Sequence, residues 1–404
     1  MAVRQSYCAA ICRSKRRPPR FKGGATPPAQ FLDIDETWRQ RLNTQKKLLK
    51  TALAGSALCF AVAAQAQSSV TLYGIVDAGL LYLSKTRNAT GGNGGKFFGF
   101  TDSGQMPSLF GLKGEEDLGG GLHAEFKLES GINIANGGFN DSNGNFFGRQ
   151  AWVGLRGNFG TVRAGLQYSP FFDAVYALDP RNMSQLGSSL VPFINNTVVT
   201  GIFTANAVTY TSPVLAGFQG SLMYALGGVA GNFQAGRAYS ANLSYHWSGL
   251  GVFAAYYNGN EGPSVSPLPS TLGMIGRTLG ASYTFGSVTA KGSFTNYKMA
   301  GSGINNDVWN GGLDYQVTPT VDLNGGVWYM VNRDETSSKS LMGALGVNYS
   351  LSKATGLYAQ VGVVNNKGNQ NLGLEIGDGG NSPSSLYAPP GTTVGVDIGI
   401  HHVF

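Results

Sequence analysis

Residues 122–129 read LHAEFKLE, an alternation of apolar and polar side chains that is typical of a β-strand with one face in an apolar environment. Segments of about ten residues with this character recur from Val70 to Phe404, and the connections between them are alternately very short and long. A soluble β-sandwich also alternates, but it does not keep this order of short turn and long loop. The sequence therefore predicts an all-β fold, a transmembrane antiparallel β-barrel.

The number of segments indicates the size of the barrel. We count about sixteen strands, an even number as bacterial barrels prefer. Tight turns such as residues 158–160 carry Asn and Gly, whereas 84–106, 169–205 and 366–392 are long connections. The glycine-rich residues 91–95 are interpreted as a flexible surface loop. A barrel of this width encloses an aqueous lumen, so the polar strand residues are expected to face channel water.

Positive charge is concentrated at the N-terminus of the chain. The 404 residues carry a formal charge of +7, which would fit a nucleic-acid-binding protein. Residues 1–66, however, hold 12 Lys/Arg and only 3 Asp/Glu, and the other 17 basic and 19 acidic residues give a net charge of −2. The basic segment KKLLK at 46–50 precedes an apolar run at 51–64, and Ala-Gln-Ala follows as a small-x-small cleavage site. The sequence therefore predicts a secretory signal and no nucleic-acid partner.

These features divide the chain into three parts. Residues 46–66 are predicted to be a signal peptide that is cleaved near Ala66, and residues 67–404 to be one outer-membrane barrel domain. Residues 1–45 are interpreted as a leader that results from a start codon assigned too early. All three cysteines precede the cleavage site, so the predicted mature chain has no thiol chemistry.

The sequence contains no recognisable catalytic or metal-binding motif. His123, His246, His401 and His402 have no zinc-ligand spacing with Cys or Glu. The Gly-rich segment that ends at Lys96 lacks the Ser or Thr of a phosphate loop, and there is no G-x-S-x-G motif. We therefore expect no enzyme activity, no cofactor and no metal.

Several motifs along the chain occur together in one known family. They are SVTLYGIVDAG at 69–79, FGLKGEEDLGGGL at 110–122, GRQAWVGL at 148–155, FGTV at 159–162, NAVTYTSP at 206–213 and a C-terminal phenylalanine. With these motifs the predicted mature chain resembles the general diffusion porins of Gram-negative outer membranes, most closely the beta-proteobacterial type. The resemblance covers nearly all of residues 68–404.

The resemblance implies a sixteen-stranded barrel, a homotrimer and a third loop folded into the lumen. In these porins, acidic residues of the third loop face basic residues of the wall across the constriction. Residues 169–205 take the position of this loop, and Asp173 and Asp179 are its only carboxylates. Arg149 matches a wall arginine of the family. A rim position for Arg149 and a turn role for Asp179 are the alternatives.

The chain departs from the family at three other wall positions. Leu109, Leu166 and Phe203 stand where wall arginines are usual. Lys127 and Arg163 are the basic residues that we expect to compensate. Without such compensation, the predicted constriction, made of Arg149, Asp173, Asp179, Lys127 and Arg163, is less positive than is typical of the family.

The resemblance implies a passive channel for small hydrophilic solutes and ions in the outer membrane. Expected partners are two further copies of the chain, outer-membrane lipids and lipopolysaccharide, and the barrel-insertion machinery, which reads a terminal aromatic such as Phe404. The alternative is a barrel that acts mainly through its surface loops, as an adhesin, or as an enzyme.

Overall fold

The computed structural model describes residues 69–262, 272–376 and 386–404. The predicted leader at 1–45 and the signal peptide at 46–66 lie outside the described residues. Among the residues that are described, no helix is long and apolar enough to cross a membrane.

The described strands form one antiparallel sheet that closes on itself, because β1 pairs with β17 from Ile75 opposite Val403 to Leu83 opposite Gly395. The strands are β1 (Ser69–Arg87), β2 (Asn93–Asp102), β3 (Leu109–Gly119), β4 (Leu122–Gly131), β5 (Gln150–Gly157), β6 (Gly160–Tyr168), β7 (Phe203–Thr211), β8 (Phe218–Ala225), β9 (Ala238–Trp247), β10 (Leu250–Gly259), β11 (Met274–Phe285), β12 (Val288–Met299), β13 (Asn305–Thr318), β14 (Val321–Asn332), β15 (Lys339–Ser350), β16 (Thr355–Lys367) and β17 (Gly391–Val403). Closure leaves no sheet edge, which is the condition for strands to cross a bilayer. The predicted barrel is confirmed.

Two of these strands share a single position in the barrel wall. One half of β1 pairs with β2, from Ala78 to Arg87, and the other half pairs with β3, from Ser69 to Ile75. The barrel therefore has sixteen positions, as predicted. The prediction of a loop at 84–106 is wrong for β2. Its sequence, NGGKFFGFTD, has aromatic residues on both faces and so shows no alternation.

The two faces of the wall differ as a barrel in lipid requires. Large aliphatic side chains such as Leu222, Leu279 and Leu345 are exposed on the outer face. Adjacent aromatic residues lie on opposite faces, because side chains alternate along a strand. In the adjacent pairs Tyr256–Tyr257 and Trp328–Tyr329, only one member can therefore face lipid, and Tyr257 and Trp328 are the members that are buried in the barrel interior.

The connection between β6 and β7, residues 169–202, folds into the lumen and is called loop 3 here. It contains helix α1 (Pro170–Ala177) and helix α2 (Leu190–Thr197). Helix α1 begins where the Ser169 side chain accepts a hydrogen bond from the Phe172 backbone amide at 3.1 Å, and proline occupies the first turn. The predicted inward-folded third loop is confirmed.

Loop 3 lies directly against the inner face of the wall. The Phe171 ring is fully buried, with its centroid 5.8 Å from that of Phe193 and 6.2 Å from that of Tyr297. A Cβ atom at Gly276 would come within 2.6 Å of the Phe171 ring, so only glycine permits this approach. Hydrogen bonds from loop 3 to β9, β12, β13, β14 and β16 fix its path across the lumen.

The last long connection, between β16 and β17, also enters the barrel. Leu372 and Leu374 are buried, and a backbone bridge joins Glu375 to Leu186 of loop 3. The Gly187 amide donates to the Leu374 carbonyl oxygen at 2.8 Å. Two inward segments therefore narrow the lumen together, where the sequence predicts only one.

Candidate functional site at the constriction

A cavity of about 290 Å³ lies between loop 3 and the wall formed by β1 and β3–β7. Loop 3 bonds to β9, β12, β13, β14 and β16 on its other side, so this cavity corresponds in position to the predicted constriction. Arg149 and Lys127 line this cavity, whereas Asp173, Asp179 and Arg163 lie outside its lining. The structure therefore brings two of the five predicted residues together.

Arg149 immediately precedes β5 and is buried with its charge neutralised. Its Nε donates to Glu129 Oε1 at 3.0 Å, its Nη1 donates to Asp141 Oδ2, and its Nη2 donates to the Tyr168 hydroxyl at 2.9 Å. The guanidinium also lies over the Phe203 ring at 5.6 Å. All three guanidinium nitrogens of Arg149 therefore donate hydrogen bonds to side chains of the wall and its connections, and the group does not extend freely into the lumen.

Lys127 belongs to the same ion-pair group. Its Nζ lies 3.0 Å from Glu129 Oε2 and 5.5 Å from the centre of the Tyr73 ring. Glu129, which is itself buried, also accepts a hydrogen bond from the Tyr73 hydroxyl at 2.8 Å. Lys127 and Arg149 therefore share one carboxylate, with Asp141 as the second acid of the group.

Arg163 lies on the β6 wall outside this group. Its guanidinium is 4.4 Å from the Trp152 ring centre, and its Nη2 is 3.9 Å from Glu125 Oε2. Glu125 is held more tightly by Arg156, whose Nε donates to it at 2.5 Å and whose Nη2 donates to Glu115 at 2.6 Å. The wall bases thus face wall acids, which weakens any net positive field at this side of the lumen.

Asp179 is fully buried within loop 3. Its carboxylate accepts backbone hydrogen bonds from Met183 at 2.6 Å, Ser189 at 2.8 Å and Arg181 at 3.1 Å. These bonds hold the turn between α1 and α2. The Asp179 carboxylate therefore orders loop 3, and it can influence ions in the lumen only at a distance, without contacting them.

Asp173 projects from α1 and is exposed to the lumen. Enclosure by the surrounding protein raises the pKa of its carboxyl to about 6, and the positive charge of Arg163 opposes this rise. Asp173 is therefore the predicted site residue whose charge changes near neutral pH.

Leu109 and Phe203 make part of the wall of this cavity apolar. Leu109 and Phe203 both line the cavity and are almost fully buried. Leu166 pairs with Ala151 between β5 and β6 and lies outside the lining. Two of the three apolar replacements noted in the sequence therefore contribute directly to the constriction.

Arg181 is a residue of loop 3 that the sequence analysis does not single out and that anchors the loop to the wall. Its guanidinium donates to Asn324 on β14 at 2.9 Å, to Gln360 on β16 at 2.7 Å and to the Leu186 carbonyl at 2.6 Å. Burial lowers its pKa to about 10, and Asp179 opposes this shift. A count of the bases as well as the acids in residues 169–205 would have drawn attention to it.

Comparisons with known proteins agree with this geometry. A family model described as Gram-negative porin matches residues 51–369. The chain is 30% identical over 380 residues to outer membrane porin protein 32 of Delftia acidovorans, a match that covers 88% of this chain and 99% of that protein. It is 32% identical over 367 residues to an outer membrane porin protein of Bordetella pertussis, with 77% and 92% of the two chains covered.

Solved structures give the same result. The anion-selective porin from Comamonas acidovorans has a TM-score of 0.71 at 28% identity, with 84% of this chain and 100% of that chain covered. The trimer form of the outer membrane protein OmpT of Vibrio cholerae has a TM-score of 0.59 at 14% identity over 83% of this chain, which shows a common fold. The chain therefore belongs to the family of Gram-negative porins.

Proposed function

We propose that this porin is a homotrimeric passive channel for small solutes in the outer membrane, with weak ion selectivity. The observation that carries the proposal is a closed barrel of sixteen positions in which loop 3 leaves a lined cavity against the wall. A barrel of this size has an aqueous lumen, and an inward loop sets the width of the passage. Lipids, lipopolysaccharide and the barrel-insertion machinery are its expected partners in the membrane.

The distribution of outward aromatic residues supports the trimer. Tyr and Trp form belts where a barrel meets the lipid headgroups. Exposed Tyr and Trp occur on β7–β15, at Tyr210, Tyr224, Tyr239, Trp247, Tyr283, Trp309, Tyr315, Tyr329 and Tyr349. In the described strands β16, β17 and β1–β6, no Tyr or Trp is exposed, and aliphatic residues such as Val361 and Ile398 are exposed instead. That face, which also exposes Phe98 and Phe100 of β2, is apolar and is suited to packing against a second copy.

The five predicted residues have distinct proposed roles. Arg149 and Lys127 contribute to the wall charge, which Glu129 and Asp141 offset. Asp173, Asp179 and Arg163 act on ions through space from outside the cavity lining. The porin from Comamonas acidovorans, to which this chain is similar, is anion-selective. Here the apolar Leu109 and Phe203 and the offset bases favour weak selectivity, nearer to cation preference.

Single-channel recording in a planar bilayer tests this proposal. The purified protein should give ohmic current steps, and a salt gradient should give a small reversal potential of cation-preferring sign. Asp179→Asn should move the reversal potential toward anions. Absence of current steps from correctly folded protein would favour the alternative, a barrel that acts through its surface loops or as an enzyme.

A further inference from the structure

We propose that the constriction selects small solutes that carry an apolar side chain and no net charge. This inference rests on the proposed channel function and names the class of solute that the passage favours. The observation behind it is that apolar side chains line the cavity from both sides, while its charged groups are paired with one another.

Loop 3 supplies one apolar side of the cavity. Phe172 from α1, Leu190 and Ile194 from α2, and Met183 and Ile202 outside the helices all line it. Four of the five are at least nine-tenths buried, so the loop holds them in place by packing. Tyr176, Asn182 and Gln185 of loop 3 line the same side, so a solute in the cavity meets a fixed surface that is more apolar than polar.

The barrel wall and the last long connection supply the other side. Leu109 from β3 and Phe203 from β7 lie on the wall, and Met106 belongs to the segment between β2 and β3. Ile376 reaches the same cavity from the connection that precedes β17. Apolar side chains thus face each other across the passage, and a solute with an apolar side chain can make contacts with them that a hydrated ion cannot.

The charged groups of the cavity offer little to a charged solute. Two bases, Arg149 and Lys127, stand against two acids, Glu129 and Asp141, so their formal charges balance. Each base lies at hydrogen-bonding distance from an acid, and Arg149 in addition donates to the Tyr168 hydroxyl. An ion that enters therefore finds no unpaired counter-charge in this group.

Wider and more polar cavities lie on both sides of the apolar one. A cavity of about 510 Å³ among the long connections is lined by amides that include Asn195, Asn306 and Gln370. A cavity of about 410 Å³ toward the short turns is lined by charged residues that include Lys113 and Glu125. Polar groups can therefore hold the solute's own polar part before and after the apolar passage, which makes the apolar passage the selective step.

Liposome swelling with two amino acids of similar size tests the inference. Leucine and asparagine are both zwitterions, and they differ mainly in the polarity of the side chain. Leucine should enter liposomes that contain the wild-type channel about fivefold faster than asparagine, which corresponds to about 1 kcal/mol at an RT of about 0.59 kcal/mol. Protein-free liposomes of the same lipid give the background for each solute.

Two variants locate the effect. Phe203→Asn places an amide in the apolar lining and should bring the ratio of the two rates close to one. Phe253→Asn is the matched control, because Phe253 is a half-buried residue of β10 that packs against His246 and lies outside the cavity lining. The control should keep the wild-type ratio. A heat-modifiable band on a gel shows that each variant is folded.

The outcomes separate the inference from the channel function. If wild-type protein conducts ions and admits both amino acids at equal rates, the channel function holds and the apolar selection is wrong. If folded protein admits neither solute and gives no current, the channel function itself fails. A preference for leucine that Phe203→Asn and Phe253→Asn reduce equally would also overturn the assignment to this cavity.

Discussion

Arg149→Gln removes a buried cation from the wall of the constriction, and the structure gives the size of the expected effect. Loss of one partner from a buried ion pair destabilises a protein by about 3–5 kcal/mol, because the remaining charge is left uncompensated. Here Glu129 keeps Lys127 at 3.0 Å and the Tyr73 hydroxyl at 2.8 Å, and the Asp141 side chain retains 35% exposure. We therefore expect the lower end of that range, about 3 kcal/mol.

The measurement is equilibrium unfolding of the refolded protein in lipid vesicles by denaturant, followed by the shift between folded and unfolded bands on a gel. Arg156→Gln is the matched control. Arg156 also bridges two carboxylates, but its side chain is 42% exposed, so its loss should destabilise the barrel much less than the loss of Arg149. Equal losses for the two variants, or a loss below about 1 kcal/mol for Arg149→Gln, would refute the reasoning.

The same variant has an electrical consequence. Without Arg149, two carboxylates face Lys127 alone, so the local formal charge becomes negative. The reversal potential should move toward cations, and the shift should shrink near 1 M salt, where the screening length is about 3 Å. An unchanged reversal potential at low salt would show that this group does not act on the permeating ions.

Further predictions concern other residues of the chain. Because enclosure raises the pKa of Asp173 to about 6, lowering the pH from about 7 to about 5 should protonate it and move the reversal potential toward anions. Asp173→Asn should abolish that pH dependence; a dependence that persists would assign it elsewhere. Arg181→Met should broaden the distribution of single-channel conductance, because the guanidinium ties loop 3 to β14 and β16; an unchanged narrow distribution would contradict this. Deletion of Phe404, whose amide and carbonyl both bond to Gly74, should lower the yield of folded trimer without changing the conductance of trimers that form; an unchanged yield would show that it is dispensable. N-terminal sequencing of the outer-membrane protein should begin at Gln67, and a start upstream of the predicted signal would contradict cleavage near Ala66.

The barrel could be predicted from the sequence because each strand carries its own signal. Side chains alternate between lipid and lumen, so polarity alternates with period two along every wall strand that has a polar lumen face. Strands β9 and β10, for example, at Ala238–Trp247 and Leu250–Gly259, are joined by one of the very short connections that the sequence predicts. Strand β2 could not be found in this way, because its inward Phe97 packs against buried apolar residues and its outward Phe98 is 73% exposed.

The constriction was less predictable, because its contacts join distant parts of the chain. Arg149 meets Glu129 because β4 and β5 are neighbours in register, with Glu129 opposite Gln150. That contact follows from a hairpin, which a sequence can indicate. The contact with Asp141 depends instead on the conformation of the connection between the two strands, and the contacts of Arg181 with β14 and β16 depend on the path of loop 3.

An arginine in a porin motif therefore does not by itself determine the field in the lumen. The energy that its charge offers to an ion depends on the nearest opposite charge and on the water between them. Arg149 has two carboxylates as partners within the wall, while Arg181 is buried in loop 3, where it donates to amide and carbonyl oxygens. The charge of Arg149 is offset by these carboxylates, whereas Arg181 anchors loop 3 to the wall, although both side chains carry the same charge. Since Leu109 and Phe203 add no charge of their own, we expect the balance within the Arg149 group to contribute most of the field that the wall presents to ions at the constriction.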